Sequence, residues 1–134
     1  MRRALPVFFI ILSFVVLAGM GSKPREEVPT PDVDFRATVI DDQDISTKLA
    51  NVSWEGKAFF KAKRGKGVIT IPFEKVKKVV AMGGEGEGGM NARVVLKSGE
   101  AVAVEFEKDG RVFGQTTFGA YKIEIKNVKE IVFE

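Results

Sequence analysis

The sequence contains neither cysteine nor histidine among its 134 residues. The chain therefore cannot form a disulfide, a Ser-His-Asp or Cys-His nucleophile, or a zinc or haem site with thiolate or imidazole ligands. Tryptophan and tyrosine are scarce as well, with one residue of each. We expect a protein that is not an enzyme and that holds no metal and no small-molecule cofactor.

An excess of charge of one sign is also lacking once the first 20 residues are set aside. The whole chain has a net charge of +3 and a pI near 9.2. The 114 residues that follow carry 19 basic and 18 acidic side chains. This balance gives no general attraction to polyanions, so we expect no nucleic-acid partner.

Residues 1–20 have the pattern of a secretory signal peptide. Met1-Arg2-Arg3 is basic, the run from Val7 to Ala18 is apolar, and small residues follow it. This run of twelve residues is shorter than the roughly 20 that a membrane span needs, although an uncleaved anchor over 4–20 is an alternative. We expect an exported, periplasmic protein, either cleaved or anchored in the inner membrane. Residues 21–34, with three prolines, are typical of an extended tether.

The remaining sequence favours β-strands. Beyond residue 20 there are 15 Val, 7 Ile and 8 Phe but only two Leu, a composition that suits a pleated, half-buried surface. Apolar and polar residues alternate over 69–73, 102–106 and 121–125. Ser98-Gly99 and Asp109-Gly110 predict hairpin turns. Residues 45–54 fit either a helical face or a strand, and we favour the strand.

An internal repeat divides this region in two. Residues 65–80 align with 117–132 at an offset of 52 positions, so that Gly67 meets Gly119 and Val79 meets Ile131. Upstream the similarity continues with a drift in the offset. The shared spacing Phe/Ile-x-x-Val-x-x-Val/Ile indicates a single tight helical turn just before the last strand of each unit.

The repeat predicts two small units of about five strands each. Their bounds are 35–82 and 90–134, with a glycine-rich linker over 83–89. Five strands with a 3₁₀ turn before the fifth form the plan of an SH3-like barrel. Units this short bury little surface alone. We therefore predict an all-β protein in which two tandem SH3-like units pack together, as two barrels in contact or as one merged sandwich.

The second unit resembles a recurrent small β-domain of bacterial envelope proteins. The shared pattern is Leu96-Lys97-Ser98-Gly99, then Gly114 to Gly119, then apolar residues from Ile123 to Phe133. The resemblance implies a fold of this kind and carries no catalytic residues. It is consistent with a non-catalytic binding or scaffolding module that contacts an envelope protein partner through edge strands or loops.

A basic segment offers an alternative function. Eight cations lie within 22 residues, against a single acidic residue, and an aromatic residue precedes them. They are Lys57, Lys61, Lys63, Arg64, Lys66, Lys75, Lys77 and Lys78, with Trp54 as the aromatic. Such a cluster could bind an anionic membrane surface, namely lipid headgroups or lipopolysaccharide. The competing interpretation is a solvated face whose lysines protect edge strands.

Other polar patterns have simpler interpretations. The acidic run Asp41 to Asp44 is typical of a turn between strands, because the glycine and the distant glutamate of a calcium loop are missing. Glu105 and Glu107 lie on one face of a predicted strand, as expected of a solvated surface. The glycines of 84–89 precede a strand and not a helix, which argues against a dinucleotide loop.

Overall fold

The computed structural model describes residues 32–83 and 89–134, and almost every described segment is a strand or a tight turn. The predictions for 1–31, which include the signal peptide and most of the tether, lie outside the described residues. The strands are β1 (Ala37–Asp41), β2 (Ser46–Trp54), β3 (Phe59–Arg64), β4 (Gly67–Pro72), β5 (Val76–Ala81), β6 (Gly89–Leu96), β7 (Ala101–Glu107), β8 (Arg111–Thr116), β9 (Gly119–Glu124) and β10 (Val128–Phe133). The all-β prediction is confirmed.

Two short 3₁₀ turns complete the secondary structure. They are Phe73–Lys75 and Ile125–Asn127, each directly before the last strand of its half. The predicted helical turns are thus confirmed at both positions. Within residues 45–54, Ser46–Trp54 form a strand, as favoured. Within 32–83 and 89–134, no helix has the length and apolar character needed to cross a bilayer.

All ten strands belong to one sheet, which curls like half of a barrel. Its order is β4-β3-β7-β6-β5-β10-β1-β2-β8-β9. Strands of the two halves are therefore interleaved in the sheet, and each half places a hairpin beside the other half's second strand. The sequence predicts two tandem SH3-like units that pack together, as two barrels in contact or as one merged sandwich, and the structure shows a single sheet to which both halves contribute. β2 pairs with β8 and not with β3, and its last residue, Trp54, forms an isolated bridge with Lys57 of the β2–β3 turn.

The arrangement is the same when read from either end of the sheet. Exchanging β1–β5 with β6–β10 leaves the strand order unchanged. The connecting hydrogen bonds match too. Phe73 N–H donates to the Ala58 carbonyl at 3.0 Å, and Ile125 N–H donates to the Gly110 carbonyl at 2.8 Å. Both residues of the second bond lie 52 positions after their counterparts in the first.

The offset is larger in the first strands of each half. Asp41 N–H donates to the Ile45 carbonyl across the β1–β2 turn, and Leu96 N–H donates to the Glu100 carbonyl across the β6–β7 turn. These bonds are 55 positions apart. Since the offset later falls to 52, the second half is three residues shorter somewhere between the start of its second strand and the start of its third strand.

The two predicted hairpin turns have different outcomes. Ser98-Gly99 joins β6 to β7, which pair in antiparallel fashion, and Gly99 has the positive φ of such turns. Asp109-Gly110 joins β7 to β8, but these strands do not pair with each other. The hairpin prediction is wrong there, because β8 leaves β7 to pair with β2.

An aromatic cluster at the centre of the core connects both halves. The Phe60 ring lies 4.8 Å from the Phe73 ring, 5.5 Å from Phe106, 5.7 Å from Trp54 and 6.0 Å from Phe133, measured between centroids. These partners come from β2, β7, β10 and the first 3₁₀ turn. Phe60 is fully buried and therefore couples the β3–β4 hairpin to the rest of the sheet.

Replacing this central ring should destabilise the whole fold. We expect Phe60→Ala to lower the free energy of unfolding by about 3–5 kcal/mol, because it leaves a cavity among four rings. Urea denaturation followed by circular dichroism measures the change. Phe118→Ala is the matched control, since Phe118 is 85% exposed, and we expect it to stay within about 0.5 kcal/mol. Similar losses for both variants would contradict the central role of Phe60.

Candidate functional site

The structure distributes the predicted basic residues over several places. Lys57 lies in the β2–β3 turn, Lys61, Lys63, Arg64 and Lys66 lie on the β3–β4 hairpin, Lys75 lies in a 3₁₀ turn, and Lys77 and Lys78 lie on β5. β5 is three positions away from β3 in the sheet. Lys78 also forms an ion pair with Glu130 at 3.9 Å. The eight cations therefore do not form one continuous patch, and the densest group is on the hairpin.

Trp54 is part of the core and is not an exposed aromatic. Its side chain is 5% exposed and packs against Phe60 and Phe106. The ring also lies against Gly110, where a Cβ atom would come within 2.2 Å of the indole. The ring fills space between β2 and the β7–β8 turn, so Trp54 does not stand as an exposed aromatic beside the cations.

A gap in the sheet between β3 and β7 is the most distinctive surface feature. These strands share one register pair, Lys63 with Glu105. Their counterparts in the other half, β8 and β2, share three pairs. Beyond Lys63 and Glu105 the strands diverge and leave a groove of about 720 Å³. We call this groove the β3–β7 gap.

The gap arises where the second half lacks three residues. In the first half, Ser53 and Trp54 extend β2 beyond its bulge and pair with β8. The second half turns sooner, at Asp109-Gly110. Consequently the part of β3 from Phe59 to Ala62 pairs with β4 on one side and with no described strand on the other.

Side-chain contacts close both ends of the gap. At one end, Arg64 Nη1 donates a hydrogen bond of 2.9 Å to the Ala103 carbonyl beside the Lys63–Glu105 pair. At the other end, the Arg111 guanidinium donates to both carboxylate oxygens of Glu55, at 2.9 and 3.2 Å. The Arg111 backbone N–H also donates to Glu55, at 2.8 Å. The gap is therefore a bounded opening and not a frayed strand end.

The Glu55–Arg111 pair changes the acidity of both groups. The Arg111 side-chain hydrogen bond is the main reason why the pKa of Glu55 lies below its usual range. The same bond raises the pKa of Arg111. Both side chains are partly exposed, so solvent screening limits what the pair contributes to stability.

The two rims of the gap carry opposite charges. The β3 side presents Lys57, Lys61 and Lys63, and the β7 side presents Glu105, Glu107 and Asp109. No ion pair within 4.0 Å joins these rims in the described part of the chain. Trp54 and Ala62 form an apolar floor. The gap can therefore offer hydrogen bonds from a strand edge, charges of both signs and a small apolar surface.

Sequence reasoning identified the basic side of this site, since Lys57, Lys61, Lys63 and Trp54 all line the gap, but it missed the acidic side. Glu105 and Glu107 were expected to be a solvated face, and no role was expected for Glu55 or Arg111. The drift in the repeat offset was the available signal, since it reflects the three missing residues. Among residues 32–83 and 89–134, no group of three or more acidic side chains is placed to hold a metal ion.

The fold and the gap define an all-β protein whose single curled sheet carries a candidate ligand-binding groove. The chain belongs to a family described as "Uncharacterised protein", which matches residues 31–134. The match includes all ten strands. Among curated proteins, none matches this sequence.

The stability that the Glu55–Arg111 ion pair contributes should depend on pH. Because the folded-state pKa of Glu55 is lowered, its stabilisation is fully present above the unfolded-state value of about 4.3 and is lost as pH falls through the lower folded-state value. We expect Glu55→Gln to destabilise the protein by about 1 kcal/mol at neutral pH. This difference from wild type should shrink below about pH 4.

Urea titrations across this pH range measure the effect. Glu100→Gln is the control, since Glu100 is exposed in the β6–β7 turn and forms no ion pair with any residue that the structure describes. A Glu55→Gln difference that stays constant on acidification would contradict the assigned pairing.

Proposed function

We propose that the protein is a non-catalytic binding module of the bacterial cell envelope that holds an extended segment of a protein partner in the β3–β7 gap. The observation that carries the proposal is the missing stretch of strand beside Phe59–Ala62. The other half fills the equivalent place with Ser53 and Trp54 of its own chain. A partner segment of about three residues would complete the sheet in the same way.

The backbone of β3 supplies the affinity in this mechanism. An added segment gains main-chain hydrogen bonds, whereas the side chains around it decide which segment fits. The template is rigid, since β3 pairs with β4 over six consecutive positions. Little ordering of the protein is therefore needed on binding, which reduces the entropic cost of association.

The charged rims define the preferred segment. Lys61 and Lys63 favour acidic side chains, and Glu107 and Asp109 favour basic side chains. A segment that carries both signs satisfies the two rims at once. A uniformly acidic or basic segment meets repulsion at one of them.

The sequence supports the envelope location. Residues 1–20 carry the signal-peptide pattern, and prolines follow in 21–34. We interpret the two halves as copies of an SH3-like unit whose hairpins are exchanged. The matching strand order and the matching 3₁₀ turns support this origin. In small barrels of this kind, edges and loops are the usual contact surfaces.

Site-specific crosslinking tests the proposal. A photoreactive amino acid replaces Lys61 on the β3 rim of the full-length chain, which is expressed in its native cells. We expect a crosslinked adduct with one envelope protein, and mass spectrometry of the adduct identifies the crosslinked peptide. The same experiment fixes the mature N-terminus and the cell fraction. The matched control replaces Lys122, an exposed lysine of β9. Equal adducts at both positions, or none at position 61, would contradict the proposal.

A second candidate function is binding to an anionic envelope surface. The β3–β4 hairpin, from Phe59 to Pro72, carries four cations and no acidic residue. Val68, on the same hairpin, is 63% exposed. Cations beside an exposed apolar side chain suit a surface of anionic headgroups.

Salt dependence distinguishes this second function. If it operates, the protein should bind vesicles that contain phosphatidylglycerol at low ionic strength and release them at about 0.5 M salt, because screening weakens exposed charges. Lys66→Glu should weaken binding, whereas Lys77→Glu on the distant β5 should change it less. Vesicle sedimentation measures both. Binding that persists at high salt would contradict an electrostatic mechanism.

A further inference from the structure

The two outer strands of the sheet differ in their protection against pairing. β4 and β9 end the sheet on opposite sides and occupy equivalent places in the two halves. β9 carries Lys122 and Glu124, whereas β4 has Thr70 and Pro72 at the positions 52 residues earlier. Exposed edges are normally protected by charged residues, because a bare edge pairs with other chains. Only β9 carries charged residues, whereas the protection of β4 is limited to the proline at its end, Pro72.

β4 is an ordered template with one free side. It pairs with β3 at every position from Gly67 to Pro72, and Ile71 fixes its inner face in the core. Val68 and Thr70 lie on the outer face, and both are exposed. No second described strand pairs with β4. The free side therefore offers main-chain donors and acceptors over Val68–Ile71, ahead of Pro72, which has no N–H to donate.

The charges near this edge indicate what it binds. Lys63 lies opposite Val68 in register, and Lys61 lies opposite Thr70. A strand added to β4 would lie about 9.6 Å from β3, two strand spacings away. Lysine and glutamate side chains together span that distance. A second copy of β4 would instead bring Lys61 and Lys63 of both copies towards one another, which is unfavourable.

We propose that the free edge of β4 binds, by strand addition, an extended segment of a protein partner whose outward residues are acidic and whose inward residues are apolar. The main chain of Val68–Ile71 provides the hydrogen bonds, and Lys61 and Lys63 select acidic side chains. The free edge of β4 lies on the opposite side of β3 from the β3–β7 gap, although Lys61, Lys63 and Val68 border both sites. Asp109→Lys distinguishes the two sites, because Asp109 lines the gap and does not border β4: this variant should leave binding at the β4 edge unchanged and should strengthen the binding of an acidic peptide in the gap.

The probe is a fluorescein-labelled, end-capped peptide of alternating glutamate and valine, titrated with the purified full-length chain and followed by anisotropy. We expect saturable binding, and no binding of the alternating lysine–valine peptide. Two further peptides carry N-methyl groups on alternate residues, one on the glutamates and one on the valines. Strand addition predicts that one of the two loses binding and the other keeps it, because only alternate N–H groups face the template.

The location is tested with matched edge variants. Val68→Glu and Ala120→Glu introduce the same charge at equivalent positions of β4 and β9, which are 52 residues apart. We expect Val68→Glu to weaken binding about fivefold, the effect of a like-charged neighbour across strands, and Ala120→Glu to leave binding unchanged. Thermal unfolding confirms that both variants are folded.

Three results would overturn the proposal. No binding of the glutamate–valine peptide excludes an acidic strand as the occupant. Equal binding of both N-methylated peptides shows that charge alone attracts the probe, as expected for an anionic-surface binder. Equal weakening by both edge variants shows that binding is not at β4.

Discussion

The pairing of each half's hairpin with the second strand of the other half is the constraint on which the rest of the structure depends. Each half places its third and fourth strands beside the second strand of the other half. Neither half can therefore complete its own sheet. Neither half can complete the core alone either, because Phe60 of the first half packs against Phe106 and Phe133 of the second. Two units that would each be too small to bury a core thus share one.

The sequence predicts the local structure better than the way the strands assemble. Alternation and β-branched residues identify the strands, and the Phe/Ile-x-x-Val spacing identifies both 3₁₀ turns, since these depend on near neighbours. Pairing between halves depends on which free edge each hairpin meets, and local patterns do not encode it. The turn at Asp109-Gly110 shows the difference. Its residues correctly predict a turn, yet the strands on either side of it pair elsewhere.

The same limit applies to the candidate site. Counting cations along the chain groups Lys57 with Lys78, but the sheet separates β3 from β5 by two strands of the second half. Acidic residues from that half, Glu105 and Glu107, come to lie across the gap from Lys61 and Lys63. Proximity in sequence therefore suggests a larger basic patch than the folded protein has. The opposing charges could be recognised only once β7 was known to lie beside β3.

A feature that both halves share can be required for folding, whereas a feature that only one half has is not. Both halves need their 3₁₀ turns, their central strands and their buried valines, and both have them. The gap exists in one half only, and so does the uncharged edge. A gap leaves backbone groups without strand partners, and a bare edge invites association, so neither feature stabilises the fold. Both features involve the β3–β4 hairpin, which makes this hairpin the part of the molecule best suited to recognition.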